Sequence, residues 1–118
     1  MDKKITYSTG NIKISDEVIT TIVKSVLHEM EGVHSLALKP LSASEMLLKT
    51  SPLKPINIRL NVDVAEIDLV VNLCFGYKLR EVAEQIQNRI KDTVQDMTGI
   101  AVNKVNIYVA GVKTKESK

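Results

Sequence analysis

Few side chains in this sequence are suited to covalent or metal chemistry: His28, His34, Cys74 and the carboxylates Glu81 and Glu84. Two imidazoles four residues apart on a helix can share a metal ion. His28 and His34 instead straddle Gly32, where a helix is expected to end, and read as one exposed and one half-buried histidine. A reactive thiol needs a neighbouring base or cation. Cys74 sits on the strand face opposite Leu73 and Phe75 with no histidine expected beside it, and reads as a structural thiol. Glu81 and Glu84 lie one helical turn apart among Arg80, Arg89 and Lys91. Paired carboxylates can move protons, but such a run on an amphipathic helix is ordinarily its solvated side.

The glycines exclude a second class of chemistry. Gly10, Gly32, Gly76, Gly99 and Gly111 all fall between expected elements, so neither a dinucleotide fingerprint nor a phosphate-cradling loop is present. The sequence therefore predicts no catalytic residue, no metal ligand and no cofactor: the chain is not expected to be an enzyme.

Bulk properties narrow the class further. A length of 118 residues suits one domain that needs no disulfide, and 44% hydrophobic with 25% charged residues is globular composition. With three Tyr, one Phe and no Trp, the core must be aliphatic and a base-stacking platform is hard to build. The formal charge of +2 is far from the concentrated basic excess of a phosphate-binding surface, so nucleic acid is not an expected partner. The amino terminus lacks a following apolar run, and neither a signal peptide nor direct membrane insertion is expected.

The elements follow from periodicity. Ile12 and Ile14 alternate with Asn11 and Lys13 as a short strand, and Ser15 or Asp16 offers a helix cap. Val18, Ile19, Ile22, Val23, Val26, Leu27 and Met30 then recur at three and four, one buried helical stripe that Gly32 ends. Val33 to Leu38 reads as a strand. Residues 39–55 hold all three prolines and read as an irregular segment. Ile56, Ile58, Leu60, Val62 and Val64 form an alternating strand, and Ile67 to Phe75 a second one of opposite parity; a hairpin centred on Ala65 and Glu66 would put both apolar sets on one face, as would a four-residue loop in the same register. A helix over Leu79 to Met97 presents Val82, Ala83, Ile86, Ile90 and Val94 inward, Gly99 stops it, and a last strand spans about Lys104 to Ala110.

The predicted class is therefore α+β, a two-layer arrangement of two main helices on one face of a small mixed sheet, in the order β-α-β-β-β-α-β. One domain over 10–112 carries an arm at 1–9, where Ile5 and Tyr7 could add an edge strand, and a tail at 113–118. Asn57, Arg59, Asn61, Asp63, Asp68, Asn72, Asn106 and Tyr108 would line the second sheet face. That face reads as solvated or as a partner surface, with Arg59, Asn61, Asn72 and Tyr108 the candidate partner-binding residues.

A family resemblance joins these pieces. Gly10-Asn11-Ile12-Lys13-Ile14-Ser15-Asp16-Glu17-Val18-Ile19, then Glu29-Met30-Glu31-Gly32-Val33, Gly76, Val82-Ala83-Glu84-Gln85-Ile86-Gln87, and Met97-Thr98-Gly99-Ile100 running on to Val109 together resemble the alkaline shock protein family of Gram-positive bacteria. The resemblance implies a cytoplasmic protein without known catalysis, linked to cell envelope homeostasis. Its implied partners are a membrane-anchored envelope protein or a lipid-synthesis enzyme, through which the chain would be membrane-associated, or further copies of itself. The connection between Lys39 and Pro55 departs from the family pattern. The runner-up reading is a nucleic-acid-binding α/β module, suggested by two helices on a small sheet and a pI of about 8.7.

Overall fold

A computed structural model describes residues 12–37, 54–62 and 64–114. Its elements are helix α1 (Asp16–Glu29), strands β1 (Val33–Leu36), β2 (Ile56–Asn61) and β3 (Val64–Cys74), helix α2 (Leu79–Thr98) and strand β4 (Ala101–Lys113). The expected arm at 1–9, nearly all of the proline-bearing segment and the end of the tail lie outside the described residues.

Both helices stand where periodicity puts them. α1 starts at Ser15, whose hydroxyl accepts from the Val18 N–H at 3.4 Å, with Asp16 and Glu17 in the first turn, where the helix dipole favours negative charge. It buries Ile19, Ile22, Val23, Val26 and Leu27; Val18, at the edge of the expected stripe, is 43% exposed. α2 buries Val82, Ile86, Ile90 and Val94. Gly99 ends it in the left-handed region at φ 76°, donating its N–H to the Gln95 carbonyl at 2.9 Å. α1 ends differently, on an extended Met30. The turn then comes at Gly32, with φ +91°, where an added Cβ would lie 3.0 Å from Val82 and 3.2 Å from Tyr77. A glycine is needed there both for its backbone angle and for the close approach of α2.

β3 is the spine of a four-stranded mixed sheet. β4 runs parallel along one edge, as the intervening crossover helix α2 permits. β1 and β2 share the other edge, both antiparallel, β1 against Val71–Leu73 and β2 against Val64–Leu69. They meet at Val70, which accepts from the Ala37 N–H at 3.0 Å and donates to the Pro55 carbonyl at 2.9 Å. The odd-numbered residues of β3, Ala65, Ile67, Leu69, Val71 and Leu73, are all buried and turn toward the helices. With Ile56, Val105 and the helix residues they form one aliphatic core.

Three expectations need correction. Ile12 and Ile14 form no strand: residues 12–15 carry no regular structure, Ile12 is 90% exposed, and only Ile14 packs on the core. Among the described residues the order is therefore α-β-β-β-α-β, with the α+β class and mixed sheet as expected. The hairpin turns between Asn61 and Val64, not at 65–66, with Asn61 opposite Val64, Leu60 opposite Ala65 and Ile58 opposite Ile67. The four-residue-loop version falls with it. Both expected and observed registers pair even residues with odd ones, so the apolar sets still share a face. The earlier turn puts small Ala65 rather than a loop into the core and leaves Val62 98% exposed. Phe75, expected to point inward, lies beyond the end of β3 and is 73% exposed. β4 begins at Ala101 and ends at Lys113, longer in both directions than periodicity suggests.

Candidate functional site

The sheet face away from the helices is built by the alternate residues of each strand: Asn57, Arg59 and Asn61 from β2, Glu66, Asp68 and Asn72 from β3, Asn106 and Tyr108 from β4, and Ser35 from β1. Arg59 stands directly opposite Glu66 and diagonally from Asp68, within reach of both. Its guanidinium donates to Glu66 Oε1 at 2.6 Å and to Asp68 Oδ2. Asp68 also accepts from Asn106 Nδ2 at 2.9 Å. The hydrogen bond to Asp68, then that to Glu66, and the two negative charges hold the Arg59 guanidinium above the usual arginine range. Its charged form is thus fully populated below that ordinary range and is lost only above the raised value, so the guanidinium stays charged throughout the neutral region.

The four candidate residues share this face without converging. Arg59 sits in the central cluster. Asn61 is at the hairpin end beside Val64. Asn72 belongs to a second network, donating to Ser35 Oγ at 3.0 Å, while His34 Nδ1 lies 3.0 Å from the same oxygen. Its Oδ1 would lie 3.0 Å from a Cβ placed on Gly111, the β4 residue paired with it beyond a register shift. Tyr108 is 43% exposed opposite buried Val70. Positions 64 and 72 of β3 are about 26 Å apart at strand rise, so these groups form two separate networks. Asp63 lies outside the described residues.

The chemistry-bearing residues are placed as their neighbours suggest. His28 is exposed and His34 half-buried. His34 is the extra residue of a bulge between Val33 and Ser35, which sequence reading missed. Cys74 is buried at the end of β3. Glu81 and Glu84 are exposed, with Lys78 Nζ 3.9 Å from Glu81. Among the described residues no group of three or more His, Cys, Asp or Glu could hold a metal ion, and no helix is long and apolar enough to cross a membrane. What the polar face can do is present hydrogen-bonding groups on a rigid support. It offers phosphates little attraction, because Arg59 and Lys104 face Glu66 and Asp68.

The model of a family described by a cell envelope-related function matches residues 4–114. The chain belongs to the alkaline shock protein 23 family. Two relatives of this family member span nearly its whole length. The uncharacterized protein YloU of Bacillus subtilis (strain 168) is 33% identical over 107 residues, covering 88% of this chain and 89% of YloU. The uncharacterized protein Spy1614 of Streptococcus pyogenes serotype M6 is 29% identical over 116 residues, covering 96% of each. Among solved structures, a zinc form of MamM CTD overlaps 81% of this chain and 85% of its own, with a TM-score of 0.49 and 7% sequence identity. The family resemblance read from the residues is thus shown, together with its cell envelope-related function.

Proposed function

We propose that this chain is a non-enzymatic interaction protein of the cell envelope, a cytoplasmic scaffold or modulator that works by binding other proteins. The family match over residues 4–114 carries this reading. The geometry supports it: an aliphatic core packs the two layers together, and on the sheet face away from the helices Arg59, Asn61, Asn72 and Tyr108 are held by strand pairing. The partner would be a membrane-anchored envelope protein or an enzyme of membrane lipid synthesis, and attachment to the membrane would go through it. A second copy of the chain is the remaining partner of this reading.

Photo-crosslinkers placed at Asn61 and at Asn72 in living cells test it. Reproducible crosslinks to an envelope or lipid-synthesis protein, or between copies of the chain, are expected from at least one position. Recovery of neither, with the purified chain strictly monomeric, would refute the reading.

A further inference from the structure

Among the described residues no strand pairs with the outer edge of β2. Residues of an antiparallel pair alternate between those whose backbone groups face the partner strand and those whose groups face away. The hydrogen bond from Val70 to Pro55 fixes that alternation: with Pro55 bonded to β3, so are Asn57, Arg59 and Asn61, and the N–H and C=O groups of Ile56, Ile58 and Leu60 point outward. No strand of the described residues pairs with them. The other sheet edge is partly blocked, since Gln87 Nε2 from α2 donates to the Val105 carbonyl of β4 at 2.9 Å.

Alongside this edge lies a trough of about 580 Å³ between β2 and the flank of α1. Asp16 and Glu17 line it from the start of α1, and Lys24 and Lys54 also line it, with Ile56 and Ile58 as the floor. The chain enters α1 through Ile14, which lines a groove with Leu60 and Val62 of the hairpin. The start of α1 is therefore at the hairpin end of β2, and Lys24 lies toward Lys54. The trough has a negative end and a positive end. None of the four charges makes a salt bridge with another described residue. The dipole of α1 accounts for the two carboxylates; it gives no reason for the two lysines. From Asp16 to Lys24 the helix rises about 12 Å, the reach of about four residues of extended chain.

We propose that the trough takes an extended segment of a partner protein, which adds to β2 as a further strand and carries a basic and an acidic residue about four positions apart. Strand addition uses the backbone groups of Ile56, Ile58 and Leu60 for affinity, and the charged ends of the trough set direction and sequence preference. This rests on the interaction-protein reading and names the chemistry of the partner.

The test uses three blocked synthetic peptides of alternating valine and threonine, with lysine and glutamate, two glutamates, or two lysines at positions four apart. The lysine–glutamate peptide is expected to shift the amide resonances of Ile56, Ile58 and Leu60 and to slow their hydrogen exchange, and to bind roughly tenfold more tightly than either other peptide. In the Lys24→Glu/Lys54→Glu chain, whose changes are on the surface, the two-lysine peptide should become the preferred one. No effect on those three amides at millimolar peptide, an effect located on β4, or a preference unchanged by the charge reversal would each overturn the proposal. Its failure is separable from that of the broader reading: crosslinks at Asn61 or Asn72 to an envelope protein, with β2 silent toward peptide, would sink strand addition alone.

Discussion

The polar face of the sheet and the trough beside β2 have similar side chains in opposite states of compensation. On the face, Arg59 is already bound by Glu66 and Asp68, and Asn106 completes the set. In the trough, the two carboxylates at the start of α1 are held apart from Lys24, further along the same helix, and from Lys54 ahead of β2, beside a row of outward backbone groups. A surface whose charges answer one another is stable without a visitor, whereas one whose charges do not leaves that role to something else. Residue type alone would have ranked the two the other way, since the face carries the larger collection of amides and charges.

Substitutions can break or sharpen this contrast. The largest effect should come from beneath both regions. Leu69, 1% exposed, is paired with Ile56 and Ile107, and Leu69→Ala is expected to remove about 2–5 kcal/mol of stability. Urea unfolding followed at reporters on the face and on α1 should show one shared transition; two separate midpoints would mean that the regions do not rest on one cooperative unit. Gly32→Ala should cost about 1–3 kcal/mol, through its positive φ and the contact with Val82. In a Val82→Ala background the same glycine substitution should cost less by the part due to contact, because its nearest atoms are gone.

Smaller effects separate the regions themselves. Arg59→Leu leaves Glu66 and Asp68 as neighbouring carboxylates without the guanidinium between them, so the urea midpoint should fall at low salt and approach that of the unchanged chain at high salt, with the slope unaltered. A salt-independent loss would show that Arg59 acts by packing instead. Lys24→Glu/Lys54→Glu should change stability least, within about 0.5 kcal/mol. A clear loss there would mean that the trough charges already serve the fold.

The sequence makes the layers legible because they depend on period. The stripe from Ile19 to Met30 and that from Val82 to Val94 each match one helical face, and Ser15, Gly32 and Gly99 punctuate them. The hairpin was misplaced for a physical reason: moving its turn by three residues leaves the parity unchanged, and neither Val62-Asp63 nor Ala65-Glu66 carries a strong turn dipeptide. Alternation reports which face a residue occupies, not which residue it faces. Ile12 illustrates the same weakness, since two alternating isoleucines do not guarantee a strand with something to pair to. The polar face could be listed from sequence, yet its division into an Arg59 cluster and an Asn72 network requires the cross-strand register. The trough was not legible, because it depends on which edge of β2 goes unpaired among the described residues, a property of topology and not of any residue in the strand.

One backbone detail bears on how such a protein can change. Ala37 and Pro55 are both fastened to Val70, one to its carbonyl and the other to its N–H, so the chain departs from the sheet and comes back at a single point. Whatever lies between those anchors behaves thermodynamically as a closed ring, and doubling the length of such a ring adds only about 0.6 kcal/mol. Changing the length of chain between those anchors therefore carries a small closure cost as long as Ala37 and Pro55 stay fastened to Val70. One residue of the central strand thus sets both where the sheet is left and where it is rejoined, and the entropy of closure depends only weakly on how much chain is spent in between.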